Sequence, residues 1–178
     1  MNNSIDLNIK NKYKILFVCL GNICRSPAAE AVFNHKLEEK KLTQYFFVDS
    51  AGTYGGHSGE LPDRRMRLAA EKRGYTLTHH SRKITFSDFE NFDLIVVMDN
   101  YNYDDVCFLA PNIKKKNKVC KMASFLEKSD FTYIPDPYYE GSEGFELVLN
   151  LLDESCENLL KHLKKQARFN LKIKSIFL

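Results

Sequence analysis

The chain has 178 residues, of which 44% are hydrophobic and 28% charged, a composition typical of one globular domain with its own core. A net charge of +3, with no basic stripe interleaved with aromatic residues, argues against a nucleic-acid partner. No apolar run is long enough for a membrane span, and the N-terminal residues lack the apolar core of a signal peptide. Five cysteines cannot all pair with one another, so we expect a reducing compartment and a cytoplasmic protein.

The first half of the chain alternates between predicted strands and helices. Residues 1–13 read as a polar leader, and the continuous apolar run at 15–18 is typical of a strand buried on both faces. A helix is predicted from Ser26, a suitable N-cap that precedes Pro27, to about residue 40. A second strand is predicted at 46–48, followed by a glycine-rich loop over 53–60.

The second half continues the same alternation. A helix is predicted over 62–73, with a proline at its start and a glycine just past its end, and a third buried strand over 94–98. A weaker strand is predicted at 119–122. The last predicted helix has one apolar stripe at spacings of three and four, made by Phe145, Val148, Leu149, Leu152, Cys156, Leu159, Leu160 and Leu163.

This order of elements predicts the fold class. Strands that alternate with helices favour an α/β protein, here a single-domain open four-stranded parallel sheet flanked by helices on both faces. The domain is expected to span residues 14–165, and the C-terminal tail, 166–178, receives no assignment. Ligands of such sheets bind at the carboxyl ends of the strands. We therefore expect the functional site to follow the first strand.

The segment after that strand has the pattern C-x5-R-S, from Cys19 to Ser26. A strand-to-helix turn directs backbone N–H groups inward and makes an anion site at the positive end of the helix, and Gly21 is expected to supply the unusual backbone angles. The Arg25 guanidinium adds a planar fork that matches two phosphate oxygens. The same positive field stabilises a thiolate, so Cys19 is expected to be a nucleophile at neutral pH, with Ser26 donating a hydrogen bond to its sulfur. The predicted phosphate-binding loop comprises Leu20, Gly21, Asn22, Ile23, Cys24 and Arg25.

The segment 15–33, ILFVCLGNICRSPAAEAVF, closely resembles the signature of low-molecular-weight protein-tyrosine phosphatases. Three further blocks follow in the family's order: DSAGT at 49–53, the segment 92–99, and DPYY at 136–139. The likeness covers about residues 13–165.

The resemblance implies an enzyme that hydrolyses phosphotyrosine (aryl phosphate) monoesters of proteins, with no cofactor, no metal and inorganic phosphate as product and competitive ligand. Cys19 would attack phosphorus and form a phosphocysteine, and Arg25 would bind the phosphoryl group. Asp136 matches the acid that protonates the departing phenol and then acts as base for the attacking water. Cys24 resembles the family's second cysteine, which can pair with Cys19 under oxidation; packing alone is the alternative.

The resemblance also assigns supporting and substrate-contacting residues. Asn22, Ser50 and His79 match positions that brace the phosphate loop by hydrogen bonds. The substrate cleft is expected to contain Ile23, Tyr54, Tyr138 and Tyr139.

One position departs from the family. Gly56 stands where an aromatic residue is usual, so either Tyr54 or His57 replaces it or this wall of the cleft is open. Substrate preference is the property that this departure leaves undecided.

Three other functions, two enzymatic and one that is not a hydrolase or reductase, are alternatives to this interpretation. A protein-arginine phosphatase would favour a small threonine where this chain has Ile23, whose apolar side chain suits an aryl ring. An arsenate reductase needs two further thiols close together, whereas Cys107 and Cys120 are well separated along the chain. A phosphate-binding module or a phosphotransferase-system B subunit would lack both the arginine and the distal acid.

Overall fold

The computed structural model describes residues 12–167, so most of the predicted leader and of the predicted C-terminal tail lies outside the described residues. Four parallel strands form one sheet in the order β2-β1-β3-β4. The apolar run at 15–18 lies in the central strand, which begins earlier than predicted, at Tyr13. The strands are β1 (Tyr13–Cys19), β2 (Phe46–Gly52), β3 (Leu94–Val97) and β4 (Val119–Lys121).

Helices cover the sheet, joined by short 3₁₀ segments at Thr43–Tyr45 and Met122–Phe125. The predicted helix over 62–73 runs from Arg64 to Glu71, and it begins later than predicted because Asp63 caps it, its side chain accepting a hydrogen bond from the Arg65 N–H at 2.8 Å. The α-helices of the described residues are α1 (Arg25–Glu39), α2 (Arg64–Glu71), α3 (Asp88–Asn91), α4 (Asn100–Leu109), α5 (Ile113–Lys116) and α6 (Ser142–Ala167).

The alternation of side chains along β1 divides the core into two layers. Ile15 and Phe17 pack with α1, α2 and α6 on one face. Leu16 and Val18 point to the other face, where α3 and α4 contribute buried side chains. Each fully buried side chain of this kind contributes about 1.5–3 kcal/mol by its removal from water. The predicted α/β class, with one four-stranded parallel sheet and helices on both faces, is confirmed.

Helix α6 shows the predicted apolar stripe. All eight residues of the stripe, from Phe145 to Leu163, are buried against the first layer. Cys156 lies within the stripe, fully buried, and burial raises the pKa of its thiol, as expected of a small core side chain rather than a reactive one. Among residues 12–167 no helix combines the length and the apolar character needed to cross a membrane.

The strand order fixes where a ligand can bind. β1 lies between β2 and β3, so the chain leaves the carboxyl ends of β1 and β3 towards opposite sides and opens a crevice between them. Cys19 ends β1, and Asp99 follows β3 at the same edge.

Candidate active site

The segment between β1 and α1 wraps around the sulfur of Cys19. The Cys19 Sγ accepts a hydrogen bond from the Asn22 N–H at 3.3 Å and lies 3.1 Å from the Ser26 Oγ. The prediction that Ser26 caps α1 is wrong: the helix begins at Arg25, its N-cap residue is Cys24, and no side chain caps it. The Ser26 hydroxyl instead lies between the Cys19 sulfur and the Ala51 carbonyl oxygen, 3.2 Å away.

The unusual backbone angle of this loop belongs to Asn22, with φ of 55°, and not to Gly21 as expected. Asparagine enters the left-handed region more easily than most residues, which makes the position tolerable. Only glycine fits at position 52, because a Cβ there would lie 2.6 Å from the Leu20 carbonyl oxygen. The end of β2 therefore approaches the loop more closely than any side chain would allow.

The Asn22 side chain is buried and makes four hydrogen bonds. Its Nδ2 donates to the hydroxyls of Ser26 and Ser50, both at 2.9 Å. Its Oδ1 accepts from the Arg82 N–H at 2.9 Å and lies 3.0 Å from the His79 Nε2, which therefore carries the proton in this contact. A fully satisfied buried amide of this kind holds the loop in one conformation.

Arg25 lies over the loop with its side chain 3% exposed. Its Nη1 donates to the Asp99 Oδ2 at 2.5 Å and to the Ile134 carbonyl at 3.2 Å, and its Nη2 donates to the Asp136 Oδ2 at 2.6 Å. Its Nε is buried and makes no hydrogen bond within residues 12–167. Burial disfavours the charge, but the neighbouring side chains of Cys19, Asp136 and Asp99 more than offset it and raise the pKa of Arg25. The guanidinium is therefore a permanent cation with a free donor.

Cys19 and Cys24 share the loop but differ in their surroundings. Both are buried, at 2% and 3% exposure. Burial raises the pKa of Cys24, and the charge of Asp63 raises it further, so this thiol stays protonated at neutral pH. Only Cys19 has Ser26 and an inward N–H directed at its sulfur.

A cavity of about 260 Å³ opens above the loop. It brings together residues that are far apart in the sequence, from the end of β1 to the segment before α6. Its lining residues are Cys19, Leu20, Gly21, Ile23, Cys24, Arg25, Tyr54, His57, Asp136, Tyr138 and Tyr139. The predicted supporting residues Asn22, Ser26, Ser50 and His79 lie beneath it, linked by the hydrogen bonds described above.

Tyr54 covers Gly56 at one side of the cavity opening. A Cβ added to Gly56 would lie 2.2 Å from the Tyr54 Cε1, so the tyrosine ring occupies the space that a side chain at 56 would fill. The His57 ring meets Tyr54 edge-on at 6.2 Å, and its Nδ1 lies 2.9 Å from the Glu60 Oε2. Of the alternatives that the sequence leaves open, an aromatic wall formed by Tyr54 fits this geometry.

Tyr138 and Tyr139 form another part of the cavity wall, and their rings meet edge-on at 5.0 Å. The Arg65 guanidinium lies 5.3 Å from the Tyr138 ring centroid. Tyr139 is 93% exposed, so this wall has few contacts that fix it.

Three residues of the site were not assigned a role from the sequence. Asp99 caps α4, accepting from the Asn102 N–H at 2.7 Å, and holds Arg25 with its other oxygen. The Ser81 hydroxyl donates to the Gly21 carbonyl at 3.0 Å, and the backbone of Arg82 binds Asn22. The signal for Asp99 was its place directly after a buried strand, at the edge where parallel sheets bind ligands.

Comparison with known proteins decides the family. A family model described as low molecular weight phosphotyrosine protein phosphatase matches residues 14–169. The chain belongs to this family. The phosphatase is 45% identical to a protein tyrosine phosphatase from Entamoeba histolytica, whose crystal structure matches with a TM-score of 0.84 over 86% of this chain and 98% of that one. The resemblance stated from the sequence is confirmed, and the protein is a hydrolase.

Two further relatives place the phosphatase within the family. A low molecular weight phosphotyrosine protein phosphatase of Schizosaccharomyces pombe is 41% identical over 150 residues, which cover 83% of this chain and 95% of the relative. The crystal structure of a Drosophila arginine phosphatase matches with a TM-score of 0.80 at 35% identity, over 85% of this chain and 98% of that one. By homology the activity is that of a protein-tyrosine phosphatase, and an arginine phosphatase shares the fold.

Proposed function

We propose that the phosphatase hydrolyses phosphotyrosine monoesters of proteins through a phosphocysteine on Cys19, with Arg25 binding the phosphoryl group and Asp136 as general acid and base. The observation that carries the proposal is that the Cys19 sulfur, the Arg25 guanidinium and the Asp136 carboxylate line one cavity of about 260 Å³. A nucleophile, an anion-binding cation and a proton donor at one place are the minimum set for this reaction.

Substrate binding begins with an exchange of partners at Arg25. In the structure the guanidinium fork is held by Asp99 and Asp136. The phosphoryl oxygens would take the Nε donor, which has no hydrogen bond among the described residues, and the Nη2 donor that Asp136 now occupies. The Asp136 carboxyl is then released from Arg25 and free to hydrogen-bond the oxygen of the leaving group.

The first chemical step transfers the phosphoryl group to sulfur. A lone pair of the Cys19 thiolate forms the S–P bond while the bond between phosphorus and the phenolic oxygen breaks. The proton of Asp136 goes to that oxygen, so tyrosine leaves as a neutral phenol. Backbone N–H groups of the loop and Arg25 stabilise the charge that develops on the phosphoryl oxygens.

The second step hydrolyses the phosphocysteine and regenerates the free enzyme. Water attacks phosphorus, Asp136 takes its proton, and the S–P bond breaks to return the Cys19 thiolate and inorganic phosphate. The Ser26 hydroxyl, 3.1 Å from the sulfur, would turn its proton from the Ala51 carbonyl oxygen to the sulfur and so support departure of the thiolate. No metal and no cofactor takes part in either step as proposed.

The walls of the cavity favour an aryl phosphate. Ile23, Tyr54 and Tyr138 line the same cavity as the reacting sulfur of Cys19. A phosphotyrosine ring would bury apolar surface against these side chains, whereas phosphoserine has no ring to place there. Phosphotyrosine-containing proteins are therefore the proposed substrates.

Phosphoarginine is the substrate that competes with this proposal, since an arginine phosphatase shares the fold. The apolar side chain of Ile23 obstructs hydration of a guanidinium, which favours the aryl ring. We expect turnover of a phosphotyrosine peptide to exceed that of a matched phosphoarginine peptide, and Ile23→Thr to narrow the difference. Preference for phosphoarginine in the unmodified enzyme would reverse the assignment of substrate.

Reversible oxidation is a second proposed property of the loop. Cys24 lines the same cavity as Cys19, and a disulfide between them would protect the nucleophile from irreversible oxidation. After peroxide inactivation we expect a Cys19–Cys24 bond by mass spectrometry and recovery with thiol. If the inactivated enzyme contained no Cys19–Cys24 bond and did not recover with thiol, the proposed reversible oxidation would be refuted.

A free nucleophilic thiol also needs a reducing compartment, which supports a cytoplasmic location.

Hydrolysis of an aryl phosphate by wild type and by Cys19→Ser tests the proposed chemistry. We expect kcat to fall by at least about 10³-fold in the variant, because a hydroxyl in this site is a far weaker nucleophile than a thiolate. Cys156→Ser, which changes a core thiol outside the cavity, is the matched control. A fully active Cys19→Ser variant, or an inactive wild type, would overturn the assignment.

A further inference from the structure

Arg65, in the first turn of α2, lies beside the active-site cavity but is not one of its lining residues. Its Cζ lies 5.3 Å from the centroid of the Tyr138 ring and 4.9 Å from that of the Phe145 ring. At both distances a guanidinium is attracted to the face of an aromatic ring. Phe145 is 1% exposed and belongs to the core, whereas Tyr138 lines the cavity. The guanidinium therefore connects a fixed ring to a ring that faces the substrate site.

A carboxylate holds the guanidinium in this position. The Arg65 Nε donates to the Asp63 Oδ1 at 3.0 Å, and the Arg65 Nη2 donates to the Asp63 Oδ2 at 2.8 Å. Two parallel hydrogen bonds of this kind fix the plane of the guanidinium as well as its distance. These hydrogen bonds lower the pKa of Asp63, so its carboxyl is ionised at neutral pH. The pair removes much of the rotamer freedom that an arginine on the surface otherwise has.

The aspartate of this pair is also attached to the phosphate loop. Its side chain caps α2 and is 13% exposed, and its N–H donates to the Ile23 carbonyl oxygen at 2.7 Å. Ile23 and Tyr138 both line the active-site cavity. Two parts of the cavity wall that are far apart in the sequence are therefore linked through Asp63 and Arg65.

The Tyr138 ring needs such an anchor more than its backbone does. The Tyr138 N–H donates to the Asp136 Oδ1 at 3.1 Å, which holds the backbone. The ring meets that of Tyr139 edge-on, but Tyr139 is 93% exposed and gives it no fixed support. Arg65 gives the ring a contact with the rigid part of the molecule, through Asp63 on one side and Phe145 on the other.

We propose that Arg65 is a positioning residue for substrate binding: it holds the Tyr138 ring in the orientation in which the aryl ring of a phosphotyrosine packs against it. This inference rests on the proposed function. Because Arg65 lies outside the cavity lining, it should affect KM for an aryl substrate and leave the chemical steps unchanged. An ion pair with an exposed member adds little to the free energy of unfolding, so the effect is expected in binding rather than in stability.

Steady-state kinetics of the full chain with a phosphotyrosine peptide compare Arg65→Met with Arg64→Met, since each removes one positive charge from the first turn of α2. Arg65→Met should raise KM about threefold with kcat nearly unchanged, because the cation that orients the ring is lost. The inhibition constant of inorganic phosphate, which has no ring, should stay at the wild-type value. Arg64→Met, whose side chain is exposed, should change none of these quantities. An unchanged KM in Arg65→Met, or an equal rise of KM in both variants, would overturn the proposal.

A double-mutant cycle separates positioning from a merely structural role. In a Tyr138→Ala background, Arg65→Met should raise KM no further, because the ring that it orients is absent. Asp63→Asn, which still caps α2, should raise KM about twofold, and it provides the test if Arg65→Met proves unstable to urea. Additive effects of Arg65→Met and Tyr138→Ala would refute the inference. A fully active Cys19→Ser variant would count against the proposed function, whereas a failure confined to the Arg65 and Asp63 variants would count against this inference alone.

Discussion

The floor of the active-site cavity, meaning the loop from Cys19 to Ser26 and the side chains beneath it, is built differently from its rim, the residues Tyr54, His57, Asp136, Tyr138 and Tyr139. Apart from Leu20, which is 48% exposed, the floor is largely buried, and its central side chain, Asn22, makes four hydrogen bonds. On the rim, Tyr54 and Tyr139 are 57% and 93% exposed. Fixed groups thus surround the phosphoryl position, and exposed side chains surround the position of the leaving group.

This difference between floor and rim matches the two parts of the substrate, the phosphoryl group and the leaving group. The phosphoryl group is the same in every monoester, and electrostatic stabilisation is strongest when the donors need no reorganisation. The leaving group varies among substrates, and an exposed aromatic wall can adjust to it. Substitutions in the floor should therefore change kcat, whereas substitutions in the aromatic rim should change KM.

Asp136 belongs to the rim by position but should behave as a catalytic group, which makes it the sharpest test of the comparison. Asp136→Asn should lower kcat about 10²-fold for an aryl phosphate with a poor leaving group, because the proton donor is lost. Oxyanion binding should be retained or become tighter, since Arg25 is released from its carboxylate partner. Steady-state kinetics and vanadate titration measure the two effects, with the exposed Asp130→Asn as control. Lost oxyanion binding with an unchanged rate constant would contradict the acid role.

Asn22→Gly tests the floor, because glycine accepts the φ of 55° but removes all four side-chain hydrogen bonds. We expect the free energy of unfolding to fall by about 2–4 kcal/mol and kcat to fall about tenfold, since buried partners are left unsatisfied. Urea unfolding and steady-state kinetics measure both. Asn34→Gly, in the middle of α1, should cost only about 0.3 kcal/mol of stability, since asparagine is itself a poor helix former, with no change in kcat. A normal kcat in Asn22→Gly would show that the network does not position the loop.

Tyr54 should give the smallest effect. Tyr54→Ala should raise KM for a phosphotyrosine peptide by about 2–5-fold with kcat nearly unchanged, because one aromatic wall is lost. Exchanging the two positions, Tyr54→Gly with Gly56→Tyr, should restore KM, since the ring then occupies the same space from the family's usual position. Tyr101→Ala, exposed on α4, is the control. An unchanged KM in Tyr54→Ala would show that Tyr54 does not contribute to substrate binding.

The sequence predicts those parts of the molecule whose signal is local. The buried strands appear as continuous apolar runs, and α6 appears as a stripe because one whole face of it is buried. Helix α4 was not predicted because only Asn102 and Val106 of it are buried, while Tyr101 and Phe108 are exposed, so it has no apolar stripe.

Within the site, too, the sequence predicts the residues that are close together along the chain and not those that come from distant segments. The loop from Cys19 to Arg25 is contiguous, and its residue types alone indicate an anion site beside a thiolate. Asp136 lies 111 residues from Arg25 along the chain, and only the family resemblance paired them before the structure did. Ser81 and Arg82 act on the loop through contacts made by a distant segment, for which a single sequence carries no signal.

The most direct test of the proposed mechanism is to trap the phosphoenzyme. Asp136→Asn mixed with an aryl phosphate whose leaving group needs no proton should complete the first step and stall before the second, because the base for water is missing. Rapid acid quench and mass spectrometry should then find about one phosphoryl group per chain, on Cys19, and none when Cys19→Ser is added. Phosphate on another residue, or release of phenol with no phosphoenzyme, would contradict the proposed mechanism.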